Sequence, residues 1–380
     1  MLAEKTNYYS WKSGTLALGC RHCVRGEKLV LFVTGLCPAR CDFCPVSDRK
    51  LYKDVVYANE RPLKSPKEFK AILEEAKACS ARGAGVTGGD PLVVVKRTAS
   101  YIKLLKRKFG KKFHIHLYTP LNLVDEKRLR MLYSAGLDEI RFHLKFDDEK
   151  LWPRLMLARN FDWDIGVEIP ALPGKEAETK KLIDFIVGKI DFLNLNELEI
   201  ADNKVWRRAE KTRSVKCKDD LSYAIKGSDE LGKKLLSYAA KKGIQTHYCT
   251  CKLKDSVQLA RRVKRRALNV RQKFDIMTSE GMLVRGAIYL PGLAPGFGYH
   301  EKILKMSAAD KRKSLNRLKK IREELIMGGV KPGMVLLDNE KVRLITSAAL
   351  ARKIGNHEVK AAVVKEYPTY DSLELEVEFI

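Results

Sequence analysis

The sequence predicts an α/β protein: a partial parallel barrel of six strand-helix units, (β/α)6, over residues 28–248, with an extension before it, 1–27, and a basic α+β domain after it, 249–380. Three observations carry this. Between Lys28 and Lys242, strand-length apolar runs alternate with helix-length amphipathic stretches and short Gly or Pro breaks, a rhythm that argues parallel strands joined by right-handed crossovers. At 380 residues the chain exceeds one ordinary domain of roughly 100 to 200 residues. Beyond Gly243 the alternation gives way to a cationic stretch and then to strand-turn-strand signals.

Taken in order, Lys28–Thr34 is the first strand, and a cysteine-bearing loop follows it, extended by Asp54–Pro62. Ser65 and Pro66 read as the N-cap and first position of a helix reaching about Ala81. The expected strands are then Gly83–Thr87, Phe113–Thr119, Asp138–Leu144, Asp164–Pro170 and Asp191–Leu198. Helices at Val93–Phe109, Asp125–Ser134, Asp148–Arg159 and Glu176–Gly188 alternate with them, and Asp229–Lys242 is the last. Ile200–Ser228 breaks the rhythm as a long basic segment, and inside a compact domain that length suggests a functional loop. Lys252–Lys273 is expected to be helical and carries nine cations against the single acid Asp255. Hairpins are expected at Phe274–Leu290, Met334–Thr346 and Val359–Phe379, with a helix at Ala308–Met327.

Hydrophobic residues make up 45% of the chain, an ordinary share for a soluble globular protein. Met1–Gly14 is polar, and no stretch approaches the ~18 apolar residues of a membrane span, so the expectation is a cytoplasmic protein with no membrane partner. Nine cysteines in such a setting suggest metal ligation rather than disulfides, and a reducing, low-oxygen environment. The formal charge is +26, with 73 Lys plus Arg against 47 Asp plus Glu. Ion-pair networks need both signs in similar number, so the surplus asks for a polyanion. Nucleic acid is the first candidate and an acidic membrane surface the second.

Cys37, Cys41 and Cys44 stand at C-x3-C-x2-C spacing directly after the first strand. Three thiolates so placed can take three corners of a 4Fe-4S cluster and leave one iron open for a substrate or cosubstrate. A zinc knuckle would usually want a fourth ligand nearby, and chance clustering is the plainest alternative. Cys20 and Cys23 form a C-x2-C pair, and Cys249 and Cys251 a C-x-C pair; together they could hold Zn2+ or a second iron-sulfur cluster, or stay unligated. Cys79 is expected in the core. Thr119, His143 and Glu168 fall at or near carboxyl ends of strands, where parallel barrels gather ligand contacts. Asn194, Asn196, Glu197 and Glu199 load the sixth strand's end; they are candidates for the ribose of a cofactor or an amine-bearing substrate, with the two glutamates as candidate catalytic groups. Basic runs at Lys103–Lys112, Lys204–Lys218 and Lys252–Lys273 suggest a phosphate-tracking surface, with Arg261, Arg262, Lys264, Arg265 and Arg266 as its centre.

The cysteine spacing, Phe43 before the third cysteine, and the place after the first strand resemble the signature of the radical S-adenosylmethionine (SAM) superfamily, in particular proteins related to pyruvate formate-lyase activating enzyme. In that family the open iron chelates the amino and carboxylate groups of SAM, and an electron splits it to methionine and a 5'-deoxyadenosyl radical. Thr87-Gly88-Gly89-Asp90-Pro91 resembles the family's Gly-Gly-Glu-Pro element, whose backbone groups receive the SAM amino group; Asp90 in place of Glu is a departure. More narrowly, Cys20-Arg21-His22-Cys23, Asp54–Pro62, Asn194–Glu199 and the basic tail resemble an archaeal subgroup that includes the radical SAM lyase of archaeosine synthesis. That resemblance implies cleavage of a lysine adduct on a 7-deazaguanine base of tRNA, with a lysine-transferring archaeosine synthase subunit and an electron donor as partners. Two other expectations stay open: an activase that places a glycyl radical on a protein partner, and a non-catalytic, metal-stabilised RNA-binding protein.

Overall fold

The chain divides into two units, Met1–Arg262 and Val263–Ile380, in a computed structural model that describes residues 1–201, 203–204, 206–207, 216–219, 223–296, 298–354 and 359–380. The division falls after Arg262 rather than at 249, because the chain after the last barrel strand continues to pack on the first unit. Of the long basic segment expected over Ile200–Ser228, residues 202, 205, 208–215 and 220–222 lie outside the described residues, and with them most of the Lys204–Lys218 run.

The first unit is built on one sheet. Its strands are β1 (Ala3–Lys5), β2 (Trp11–Ser13), β3 (Lys28–Phe32), β4 (Tyr57–Ala58), β5 (Arg61–Pro62), β6 (Gly83–Thr87), β7 (His114–Pro120), β8 (Glu139–His143), β9 (Asp164–Ala171), β10 (Phe192–Glu197) and β11 (Thr246–Cys249). Their spatial order is β1-β2-β11-β10-β9-β8-β7-β6-β3-β4-β5. Every neighbouring pair from β3 to β11 along that path is parallel, which makes seven parallel strands where six were expected. Antiparallel hairpins border the parallel run on both sides, β1/β2 beside β11 and β4/β5 beside β3, so the barrel is partial. The 1–27 segment is thus part of the sheet.

Helices α1 (Leu18–Val24), α2 (Phe69–Ala78), α3 (Val95–Phe109), α4 (Glu126–Ala135), α5 (Glu176–Ile186) and α6 (Ser228–Lys241) accompany the strands. The helix expected at Asp148–Arg159 is a series of 3-10 turns, Glu149–Asn160, because Pro153 lacks the N–H that α-helical pairing needs at that point. Strand residues alternate between two faces. Leu29, Leu31, Val86, Leu117, Phe142 and Leu195 belong to the core cluster. The intervening residues, among them His114, His116, Glu139, Arg141, Glu168 and Asn194, form a polar concave face. Against this face lies α1. A Cβ on Gly19 would stand 2.5 Å from Arg141 Nη2 and 2.7 Å from Glu139 Oε1, so only glycine allows α1 to approach so closely.

The second unit is an antiparallel sheet of β12 (Ile276–Met277), β13 (Leu283–Tyr289), β14 (Val335–Asp338), β15 (Arg343–Thr346), β16 (Lys360–Glu366) and β17 (Glu374–Phe379), ordered β14-β15-β13-β16-β17 with β12 beside β13. The helix Ala308–Met327 lies over the β14/β15 end of the sheet and buries Leu318 in a cluster with Ile288, Val335 and Leu344. Its N-cap is Ser307, whose hydroxyl accepts from the Asp310 amide at 3.0 Å.

Candidate active site

The loop that carries Cys37, Cys41 and Cys44 leaves the carboxyl end of β3 and is tied down along its length. The Val33 amide donates to Thr87 O at 2.9 Å, and Gly35 and Tyr52 exchange bonds with Lys53 and Gly35 carbonyls at 2.8 and 2.9 Å. Thr34 Oγ1 donates to Asp54 Oδ1 at 2.9 Å, and Arg97 pairs with the same carboxylate while donating to Val33 O at 3.0 Å. The Cys44 amide donates to Cys41 O at 3.2 Å, a turn that draws those two cysteines together. Asn203 closes the far side, its side-chain amide donating to the carbonyls of Cys44 and Val46 at 2.8 and 2.9 Å.

Gly88 and Gly89 are required here for backbone contact. A Cβ on either would lie 2.4 Å from a carbonyl of the cysteine loop, Thr34 O or Leu36 O respectively. The Gly89 and Asp90 amides donate to those two carbonyls at 2.7 and 2.8 Å. These amides therefore serve to hold the cysteine loop against β6.

All three cysteines line one cavity of about 460 Å3, together with Gly88, Gly89, Thr119, His143, Tyr118 and Phe43. Burial pushes the Cys37 thiol up to about 11 and the Cys41 thiol up to about 12, and raises Cys44 as well. Three soft donors that resist ionising until a cation arrives, lining one cavity with the Gly88-Gly89 turn, fit an iron-sulfur cluster with a small cosubstrate beside it. A second cavity, about 810 Å3, shares Cys41 and Phe43 and is lined further by Arg40, Lys145, Lys175, Lys226 and Trp206. The indole Nε1 of Trp206 is buried without a partner among the described residues.

The remaining sequence candidates separate. Asp90 is buried; its carboxylate accepts from the Leu92 amide at 2.9 Å and from Thr119 Oγ1 at 2.8 Å, so the pair bolts the Gly88-Gly89 turn to β7. Burial holds the Asp90 carboxyl up at about 6. His143 reaches the cavity, with Nδ1 3.2 Å from Glu168 O and its ring edge-on to Phe43 at 5.5 Å. Burial lowers its pKa, so the ring is neutral.

Glu168 and Asn194 belong to the concave face. Glu168 accepts from Arg141 and Asn194 at 2.8 Å each and from Asn196 at 3.0 Å. Burial opposes its ionisation, yet Arg141 and the two amides outweigh this and hold its carboxyl below the usual range. Arg141 also pairs with Glu139 and approaches Cys20 Sγ at 3.4 Å, while Tyr118, which lines the cavity, lies 3.3 Å from Arg141 Nη1. Arg141, Tyr118, Asn203 and Trp206 were absent from the sequence candidates. A charge between Ile140 and Phe142 in an apolar strand was a readable sign for Arg141; the other three carry none.

Glu197 and Glu199 do not face the cavities. Glu197 alternates with Asn194 and Asn196 and so points to the helix side of the sheet, where it accepts from the Cys251 amide at 2.8 Å. Glu199 is paired with Lys254. The same alternation splits the second cysteine set. Cys20 packs on Asn194 at 3.2 Å and Cys249 is in register with Asn196, both on the concave face, whereas Cys251 Sγ lies beside Glu197 O at 4.0 Å on the other side. The four thiols expected to share one ion are therefore divided. Among the described residues the one set of three donors within 4.8 Å is His114, Glu139 and Asp164. Lys28 Nζ lies 2.8 Å from His114 Nδ1 and Arg141 pairs with Glu139, so cations already occupy that neighbourhood.

The arginine run is engaged within each unit. Arg261 donates to Val24 O at 2.9 Å, Arg262 pairs with Glu60, and Arg266 donates to Pro368 O. Lys264 is exposed and Arg265 half-buried. Three of the five side chains expected at the centre of a phosphate-tracking surface are thus engaged in the protein's own contacts.

Comparison with known proteins places this geometry. The model of the Radical SAM superfamily matches residues 31–172. A Methanocaldococcus jannaschii protein is 42% identical over 292 residues, covering 74% of this chain and 76% of its own. The chain belongs to the radical SAM superfamily. That relative bears the name glycyl-radical enzyme activating enzyme, given provisionally; it is not named an archaeosine lyase. Among solved structures, SuiB of Streptococcus suis is similar at 15% identity and a TM-score of 0.43, over 67% of this chain and 53% of that one. Coproporphyrinogen III oxidase of Escherichia coli, described as a radical SAM enzyme, is similar at 11% identity and a TM-score of 0.37, over 61% and 58%. The radical SAM chain described here spans about half the length of the Streptococcus suis protein. No helix among its described residues is long and apolar enough to cross a membrane.

Proposed function

We propose that this radical SAM enzyme installs a glycyl radical on a protein partner. The name of the Methanocaldococcus jannaschii relative is the observation that carries this reading. Cys37, Cys41 and Cys44 would hold the 4Fe-4S cluster, and Gly88, Gly89, Thr119 and His143 would surround SAM beside it. Bound there and reduced by an electron donor, the pair supplies a 5'-deoxyadenosyl radical for hydrogen abstraction. The protein's own part is positional. The Thr34–Leu36 backbone, pinned by the Gly89 and Asp90 amides, fixes the cysteine loop; neutral His143 presents an unprotonated Nε2 toward the cavity when Nδ1 donates to Glu168 O. The larger cavity beside Cys41 would admit the glycine-bearing segment of the partner.

A second reading is favoured by a different observation, the +26 charge. It is the radical cleavage of a lysine adduct on the 7-deazaguanine base of tRNA to form archaeosine, together with the lysine-transferring synthase subunit. Glu197 and Glu199 no longer support it as partners for the substrate amine, since both are engaged away from the cavities.

Anaerobic reconstitution tests the shared step: the parent should bind the cluster and release 5'-deoxyadenosine on reduction, and Cys41→Ala should lose both. Full SAM cleavage by Cys41→Ala would sink the assignment of the site. The two readings part at the product. Electron paramagnetic resonance of a co-purifying protein should show a glycyl doublet under the first. Loss of archaeosine with build-up of its lysine adduct in tRNA from a deletion strain would replace the first with the second.

A further inference from the structure

A second concentration of positive charge lies in the second unit. Between Lys311 and Arg322, on the helix Ala308–Met327, seven of twelve residues are Lys or Arg and none is Asp or Glu. Arg322 turns inward and donates to Val335 O and Pro332 O at 2.9 and 3.1 Å. Arg312, Lys313, Arg317, Lys319 and Lys320 are exposed. None of these five is in an ion pair among the described residues, although surface cations elsewhere commonly are, as in Lys175–Glu178 and Lys180–Glu176.

Their placement works against the fold. Arg312 and Lys313 stand in the second turn, toward the helix end whose free N–H groups already carry positive charge. Lys313 and Arg317 are four apart on one face, a like-charge spacing that costs an isolated helix a few tenths of a kcal/mol. The Lys103–Lys112 run differs. Lys106, Arg107 and Lys108 lie in the last turn of α3, where the helix end favours cations, and Lys106 is bound to Asp138 at 2.6 Å. Lys319 and Lys320 sit one turn before Glu323 and Glu324, so the positive potential centres on Arg312, Lys313 and Arg317.

We propose that this outward stripe of the helix Ala308–Met327 is a docking surface for the phosphodiester backbone of a structured RNA. The chemistry selects that occupant. A membrane-surface helix needs its apolar face turned to the lipid, and here Leu315, Leu318 and Leu325 pack on the cluster around Val335 and Leu344. A protein interface gathers its energy in aromatic or aliphatic anchors, and the stripe between Arg312 and Lys320 exposes only charged side chains and Asn316. Phosphate contacts need no such anchor, since counterion release alone supplies affinity. The proposal rests on the tRNA reading of the function and names where that RNA would be held.

The test uses the full chain and deproteinised total tRNA, with affinity measured between about 50 and 200 mM salt. The parent should bind with a steep salt dependence. The triple substitution Arg312→Glu, Lys313→Glu, Arg317→Glu should lower the slope of log affinity against log salt by roughly 2 to 3, at about 0.7 to 0.9 for each phosphate no longer neutralised. Arg312→Lys with Arg317→Lys, which keeps the charge, should bind as the parent does. An unchanged melting temperature and uncoupled SAM cleavage in the triple variant exclude misfolding. Negligible tRNA binding by the parent at low salt, or an unchanged slope in the triple variant, overturns the proposal. So does tighter binding of phosphatidylserine vesicles or of polyglutamate than of tRNA. The two failures are distinct: tRNA that docks through this stripe but keeps its nucleosides in a deletion strain sinks the tRNA reading and leaves the surface.

Discussion

Asp90 shows how one residue can occupy a family position and act differently from expectation. It stands where the Gly-Gly-Glu-Pro element has Glu, but its carboxylate is turned inward onto the Leu92 amide and Thr119. Its effect on the site is to fix the glycine turn that holds the cysteine loop. Its burial has a measurable sign. The folded-state value is about 6 against an ordinary 3.8, so between those values the folded protein keeps a proton that the unfolded chain has released. Stability contributed by this group is therefore greatest below pH 4, falls as pH rises, and is fully lost above pH 6. Moving a carboxyl that far corresponds to roughly 3 kcal/mol. Asn in its place keeps both acceptor contacts without the charge. Asp90→Asn should raise the melting temperature at pH 7 relative to pH 4 when compared with the parent, read by thermal unfolding across pH; an identical pH profile in both would mean that Asp90 does not titrate as a buried acid. The glutamates are the converse case. Residues 194 to 199 read as one polar end of a strand, yet period-two alternation sends Asn194 and Asn196 to the concave face and Glu197 behind it.

At the level of elements, the alternation of strand and helix was legible because each crossover repeats the same pattern. The strands β3 and β6 to β10 and the three hairpins of the second unit fall where the sequence places them, as does the helix Ala308–Met327. What escaped was short or polar. The seventh parallel strand, β11, is four residues long between a helix and a cysteine pair, and the β1/β2 hairpin has no apolar run to announce it. Both depend on long-range pairing with β10 and with each other, which local pattern cannot encode. The helix α1 is the clearest example. Its seven residues carry a cysteine pair that suggests a metal, but its shape is set by Gly19 packed on Arg141, Glu139 and His116. Gly19→Ala would put a methyl group into that ionic cluster and force α1 outward, at a cost of about 1 to 3 kcal/mol. Gly333→Ala, where a Cβ would meet nothing within 4 Å, is the matched control and should change little. Equal denaturant midpoints for both variants would show that α1 does not seat against the concave face.

For the whole molecule, the question is what a charge of +26 does in the absence of a polyanion. Two effects oppose each other as salt is added. Exposed ion pairs such as Lys305–Glu301 and Arg352–Glu378 lose attraction, but each is worth only about 0 to 1 kcal/mol and acts over contact distance. The repulsion among surplus cations acts over tens of ångströms, and the screening length contracts from ~30 Å at 0.01 M to ~10 Å at 0.1 M. Salt in that range therefore removes repulsion before it weakens contacts. The melting temperature should rise by several degrees between 0.01 and 0.1 M salt and flatten above that. At fixed ionic strength, micromolar tRNA should raise it further, because a ligand held only by the folded state stabilises it by mass action. A melting temperature that falls from the lowest salt upward would mean that the surface pairs outweigh the surplus. The basic balance would then be a property of the protein's own surface rather than a sign of its partner.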